Sequence, residues 1–367
     1  MTERARSRAR EMNALEAIRY QPRMSAPLSR RTLLQQASAT LLSVGGALRS
    51  AAAQPATIKV FYHPATLRHQ PGSSHPERPA RLDAVMEAVR ALERRGRLSV
   101  ESPRPAVDDD ILLVHTPEYV RLVRSEVAAG RRSLSTGDTE ISTGTLEAAF
   151  MAAGTVVSAV DAVFKGPTRH AFCAVRPPGH HASQARGMGF CVFNNIAIGA
   201  RYAARRYGVE RILIADWDVH HGNGTQEVFW SDGSVLFFDT HQHPWYPGTG
   251  SPSETGDGKG RGLIVNQPFP AGSGRNEIVV AFRTRLVPAA EQFKPQLVMI
   301  SAGFDSRARD PLGQFTLADA DFSELTTLVV EIARQHAGGR VVSVLEGGYA
   351  LDGLARAVDA HLSTLSA

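Results

Sequence analysis

The stretch RILIA at 211–215 runs straight into DWDVHHGNGTQ at 216–226. The first part is apolar and rich in β-branched residues, and it reads as a buried parallel strand. The second part puts carboxylates and imidazoles at that strand's C-terminal end. Side chains two residues apart share a face, so Asp216, Asp218 and His220 should point the same way. Open α/β sheets bind ligands at this edge. A buried carboxylate without a partner is costly, so the pairing calls for a cation. Gly222 and Gly224 allow the tight turn that follows.

Three more clusters follow apolar runs in the same manner. RPPGHHA at 176–182 sets His180 beside His181 after a Pro-Pro-Gly turn. LVMISAGF leads into SAGFDSRARDPLG at 301–313 and brings Asp305. VVSVL leads into LEGGYAL at 345–351, with Tyr349 after a Gly-Gly turn. In a parallel sheet all these strand ends open on one rim, where distant segments converge.

Asp218, His220 and Asp305 form a ligand set of two oxygens and one nitrogen. Three protein ligands leave a coordination position open, the arrangement of catalytic rather than structural zinc. Oxygen-rich sets discriminate poorly between zinc and ferrous iron, so Fe2+ is an alternative. A bound ion would polarise a carbonyl and acidify a water. His181 or His180 would take the proton, and Tyr349 would donate to an oxyanion. No G-x-S-x-G elbow is present and neither cysteine adjoins an obvious base. The chemistry indicated is metal-assisted hydrolysis of an amide or ester.

The chain resembles the histone deacetylase and acetylpolyamine amidohydrolase family from about residue 57 to the C-terminus. HPERPARL at 75–82, GMGFCVFNNIA at 187–197 and HQHPWYPGTG at 241–250 carry the resemblance together with the clusters above. It implies an α/β arginase/deacetylase fold: a single domain with a mostly parallel central sheet flanked by helices, its active site at the C-terminal strand ends. By position, Asp218, His220 and Asp305 correspond to the zinc ligands and His181 to the general base. Asp216 would orient His180 and Asn223 would orient His181. Asn at that place is usual in the class II branch, which the chain resembles more. Tyr349 corresponds to the carbonyl-polarising tyrosine. Gly189, Phe190 and Tyr246 correspond to walls of a narrow acyl-lysine tunnel, with Leu312 at its rim. The resemblance also implies potassium near Asp216, Asp218 and His220, with Asp239 a further contributor.

The expected function is therefore zinc-dependent removal of acetyl or short acyl groups from N-acylated amines such as N-acetyl-lysine side chains. A polyamine-selective relative carries Glu where Leu312 stands, which weakens but leaves open an acetylpolyamine or other small-amide substrate. Asp138 and Glu140, in STGDTEIST, are candidates for holding substrate at the rim. Retention of Tyr349 favours an enzyme over a non-catalytic acyl-lysine binder. The single Asp-x-His element and the tandem histidines disfavour a two-metal ureohydrolase. His63, His69, His75, His115, His170, His336 and His361 receive no role. His221 should point away from the site, while His241 and His243 are rim or loop residues.

The N-terminal segment carries a different message. Arg30 and Arg31 precede a modestly apolar stretch, and Ala51-Ala52-Ala53 offers a cleavage site. This layout is that of a twin-arginine export signal. The stretch is too short and too rich in Ser and Gly for a stable membrane anchor. Met24 would suit as an alternative start to Met1. Residues 1–53 then form the extension and signal peptide, and 54–367 the catalytic domain, periplasmic or secreted, with the Tat machinery a partner in transit. Nine Arg and three Glu give residues 1–53 a net of +6, against +5 for the whole chain. The remainder is close to neutral and offers no electrostatic footprint for nucleic acid. Oligomer formation through rim loops is compatible with the sequence. Cys173 and Cys191 are expected as buried free thiols.

The apolar runs TIKVFY, HAFCAV, RILIAD, SVLFFDT, LIVNQPF, LVMISAGF and RVVSVLEG alternate with helical patterns, as parallel β-α units require. In PARLDAVMEAVRALERRG, Leu82, Val85, Val89 and Leu92 form one stripe, with Pro79 at the first turn and Gly96 at the end. NNIAIGARYAARRYG and residues 146–164 are expected to be helical. Loops 129–145 and 241–275 are long and should shape a substrate entrance.

Overall fold

The structure, a computed structural model, describes residues 58–367. The proposed export signal and its cleavage site lie outside the described residues. Eight strands form one sheet: β1 (Ile58–Phe61), β2 (Leu98–Glu101), β3 (His170–Cys173), β4 (Ile212–Asp216), β5 (Val235–Gln242), β6 (Ile264–Phe269), β7 (Leu297–Ala302) and β8 (Val341–Leu345). Their order is β2-β1-β3-β8-β7-β4-β5-β6. Every pairing is parallel. Strands β3, β4, β7 and β8 are buried along their whole length. Both sheet faces are covered, which is why these runs read as continuously apolar rather than alternating.

The longer helices are α1 (Ala80–Arg94), α2 (Pro117–Ala128), α3 (Thr145–Lys165), α4 (Asn195–Tyr207), α6 (Asp319–His336) and α7 (Leu351–Leu365); the shorter α5 (Asn223–Phe229) opens beside the site. In α1 the expected stripe of Leu82, Val85, Val89 and Leu92 is buried, and it packs toward α7. Each such side chain contributes about 1.5–3 kcal/mol as an upper figure, so Val85→Asp should break this helix layer. Helix α3 is long and apolar enough to cross a bilayer. Its length is instead buried against the sheet and α4, with Ala152, Val156 and Val160 wholly covered.

The seven apolar runs all form strands. The eighth strand, β2, escapes a reading by periodicity. It lies at the sheet edge, where only Leu98 is buried and LSVE mixes polar with apolar residues. Its Glu101 meets Lys59 of β1 at 3.2 Å.

The strand order positions the site. Sheet neighbours β3, β8, β7, β4 and β5 are followed by the segments holding His180–His181, Tyr349, Asp305, Asp218–His220 and Tyr246, respectively. Five loops from distant parts of the sequence therefore meet at the C-terminal rim.

Candidate active site

Strand β4 ends at Asp216, so alternation alone does not carry Asp218 and His220 to the site. The turn is built by side-chain caps. The Asp216 carboxylate accepts the Asp218 N–H at 3.0 Å, and the Asp218 carboxylate accepts the His220 N–H at 2.9 Å. Between them Trp217 and Val219 are fully buried. The chain keeps its polar residues on the rim side and its apolar ones in the core. His221 turns away, bonding Thr249 and Gln226.

Asp218, His220 and Asp305 converge so that one ligand atom from each lies within 4.8 Å of the others. His220 Nδ1 is 3.0 Å from Asp218 Oδ1 and 3.3 Å from Asp305 Oδ2. The remaining carboxylate oxygens are fixed by backbone. Gly347 N–H donates to Asp218 Oδ2 at 2.8 Å, and Val219 N–H donates to Asp305 Oδ1 at 2.9 Å. Asp305 Oδ2 is buried with no hydrogen-bond donor of good geometry. Gly347 leaves the space these carboxylates occupy, because a Cβ there would stand 2.0 Å from Asp305 Oδ2.

The electrostatics indicate what the cluster lacks. Burial and the neighbouring Asp218 push Asp305 up to about 7. Burial alone would lower His220, yet Asp218 and Asp305 hold it at about 10. Two buried acids are drawing a proton into the position where a cation would sit. The donor set fits a divalent ion with an open coordination position.

The tandem histidines occupy unlike environments. His180 Nδ1 faces Asp216 Oδ2 at 2.9 Å. Burial opposes its charge, but Asp216 and Asp218 outweigh that and raise it well above the ordinary imidazole range. His181 Nδ1 faces Asn223 Oδ1 at 2.8 Å. Burial, then the neighbouring His180 and His220, hold His181 well below that range. An amide oxygen accepts from Nδ1–H and so fixes the tautomer that leaves Nε2 free. Glu346 accepts the N–H groups of Gly179 (2.7 Å) and His180 (3.2 Å), anchoring the turn that presents both rings.

A cavity of about 240 Å³ leads to this point, lined by Asp138, His181, Gly189, Phe190, His220, Trp245, Tyr246, Leu312 and Tyr349. Gly189 has φ +57°, and a Cβ on it would strike the His181 ring at 2.3 Å. Tyr246 stands edge-on to His181 with centroids 5.2 Å apart. Phe190 stands edge-on to Tyr349 at 5.9 Å. Burial keeps the Tyr349 phenol protonated, well above its ordinary value, against the pull of Arg81.

Of the two rim candidates, Asp138 lies in the cavity wall, with Oδ1 accepting from Gly189 N–H (2.8 Å) and the Tyr246 hydroxyl (3.3 Å). Glu140 does not line the cavity; it is exposed and its backbone bridges to Ser133. The buried Thr139 between them turns the chain away. Asp239 pairs in register with Asp216. One of its oxygens accepts from Gly222 N–H and the other faces His241 Nδ1. His241 is buried and His243 exposed. Cys173 and Cys191 are both buried and free.

Several site residues were not singled out by sequence. Arg81 lies with its guanidinium carbon 4.7 Å from the Tyr349 ring centre and donates to the carbonyls of Gly348 and Glu346. Glu77 bonds Arg81 and Arg176, and Arg176 also donates to the carbonyl of His69. Asp310 accepts the N–H groups of Tyr349 and Ala350. Trp245 reaches across to the Leu312 carbonyl. The only signal was the charge density of HPERPARL and RARDPLG, which does not name distant partners.

Comparisons agree with this geometry. The histone deacetylase domain matches residues 75–365. A probable deacetylase of Archaeoglobus fulgidus is 41% identical over 296 residues, covering 80% of this chain and 82% of that protein. The histone deacetylase-like amidohydrolase of Pseudomonas aeruginosa is 40% identical, covering 75% and 71%. The human polyamine deacetylase HDAC10 is 41% identical over 79% of this chain but only 44% of its own length. The crystal structure of the HDA15 HD domain superposes with a TM-score of 0.80 at 35% identity, covering 85% of this chain and 90% of that one. The parallel eight-stranded sheet is the arginase/deacetylase fold, and this chain belongs to the histone deacetylase family.

Proposed function

We propose that this chain is a zinc-dependent deacetylase that hydrolyses acetyl or short acyl groups from amines carried on a slender arm. The N-acetyl-lysine side chain and the arm of an acetylated polyamine both have that shape. The observation that carries the proposal is the meeting of Asp218, His220 and Asp305 with His181 and Tyr349 at the end of one narrow cavity.

Phe190 and Tyr246 would hold the methylene arm, with Gly189 letting it pass. A divalent ion bound by Asp218, His220 and Asp305 supplies Lewis acidity toward the amide carbonyl and acidifies water. His181, neutral and with Nε2 free, accepts a proton from the attacking water. The Tyr349 hydroxyl donates to the oxygen on which negative charge develops. His181 then returns the proton to the departing nitrogen, the C–N bond breaks, and carboxylate and amine leave. His180, oriented by Asp216 and packed against the His181 ring, would complete the proton relay.

A potassium site near Asp216, Asp218 and His220, with Asp239 a further contributor, and a periplasmic destination extend the proposal. The latter is supported only by the Arg30-Arg31 pair, the apolar stretch and the Ala51–Ala53 run. The test is turnover of acetylated amines by the purified full chain before and after chelation, and after return of one equivalent of zinc. Turnover that persists in the chelated protein would sink the metal-dependent reading.

A further inference from the structure

The cavity mouth carries an aromatic side chain that neither the ligand set nor the proton relay uses. Trp245 is 38% exposed and is the one aromatic among the large exposed hydrophobic residues described. It lines the same cavity as His181 and Tyr349. Its indole N–H is already engaged by the Leu312 carbonyl at 2.8 Å, a bond from the β5 loop to the β7 loop. The ring is therefore fixed in place with its polar atom satisfied, and what it offers a ligand is its π surface.

Among the described residues that line this cavity, Asp138 is the one carboxylate, and there is no lysine or arginine. Asp138 is exposed, with Oδ1 accepting from Gly189 N–H and the Tyr246 hydroxyl. Arg186 lines a neighbouring cleft with Glu227, although its charge reaches Tyr246. An ammonium or guanidinium seated on an indole face beside a carboxylate gains from both the ring quadrupole and the charge.

We infer that Trp245 is a specificity-determining residue that, with Asp138, selects acylated amines bearing a second, positively charged nitrogen just beyond the acylated arm. The inference rests on the deacetylase reading and narrows its substrate class. The cation has two chemical sources, a free amine of a polyamine or an arginine or lysine flanking an acyl-lysine. Leu312 supplies the carbonyl that pins the ring rather than a charge of its own.

The experiment compares matched pairs on the full, zinc-loaded chain. One pair is mono-N-acetyl-1,8-diaminooctane against N-acetyl-8-aminooctanol. The other is an acetyl-lysine tripeptide flanked by Arg against the same peptide flanked by Gln. The charged member is expected to show about three- to thirty-fold higher kcat/KM in at least one pair, and the pair that shows it identifies the source. Trp245→Leu should bring that ratio to about parity, whereas Trp245→Phe, which keeps a π face, should retain most of it. Asp138→Asn should reduce it. Equal kcat/KM within both wild-type pairs overturns the inference, even should a variant fail to fold. So does a preference that survives in Trp245→Leu. Failure to turn over any of the four substrates counts instead against the deacetylase reading.

Discussion

Two clusters of buried charge flank Tyr349, and they are completed in different ways. In one, both oxygens of Glu77 are occupied by Arg81, Arg176 and His69. Burial would raise that carboxyl, but the guanidinium of Arg176 and its neighbours bring it to about 2. In the other, Asp218 and Asp305 share one imidazole, and a buried oxygen of Asp305 has no good donor. Both clusters are removed from water. The first is closed by the protein's own cations and fixes the segment that carries Tyr349. The second is acid-rich and asks for a cation from solution. Burial of charge is thus no mark of function by itself; the informative quantity is whether the chain supplies the compensating charge.

The comparison can be broken most sharply at the acid-rich cluster. Asp218→Ala should abolish zinc binding and turnover together, checked by metal content and acetate release; turnover without metal would refute the assignment. At the closed cluster, Glu77→Gln should lower stability by about 3–5 kcal/mol, because two buried guanidinium groups lose their carboxylate. Denaturant unfolding measures this, and a near-neutral result would show that water reaches those groups. Tyr349→Phe removes one donor to the developing oxyanion. It should keep zinc while kcat falls about 10²–10³-fold, and undiminished kcat would remove Tyr349 from the mechanism.

The smallest effect separates ordinary buried polar groups from both clusters. His361 bonds Thr326 and Ser343, and burial pushes it down to about 3. Its unfolded value is near 6.5, so between these values the unfolded chain binds the extra proton. The stabilising contribution is complete above pH 6.5 and is lost as pH falls toward 3, at about 1.4 kcal/mol per pH unit. Melting temperature measured from pH 7 to pH 4 should decline, and His361→Gln should flatten the slope.

The ligand set could be read from sequence because each member follows a strand whose apolar run is itself legible. Strand ends in a parallel sheet have nowhere to go but one rim. Strand β2 was hidden because its solvent-facing residues obey no simple period. Arg81 and Glu346 were hidden for another reason. Their bond joins residues 265 apart in sequence, and no local pattern encodes such a partner. Asp138 and Glu140 look equivalent in STGDTEIST, yet only the first meets the cavity. Burial of Thr139 and the Ser133 bridge decide between them. Trp245 could have been any loop aromatic until the Leu312 carbonyl fixed its orientation.

Strand β8 is the last strand of the chain, yet it lies in the middle of the sheet, between β3 and β7. Until the ribosome has released it, the flank containing β1, β2 and β3 has no shared neighbour with the flank containing β4 through β7. Gly347 and Tyr349 arrive with the same segment. The three candidate ligands follow β4 and β7, but the Gly347 N–H that aims one Asp218 oxygen comes only with the segment after β8. A nascent or C-terminally clipped chain would carry its aspartates without the keystone that aims them.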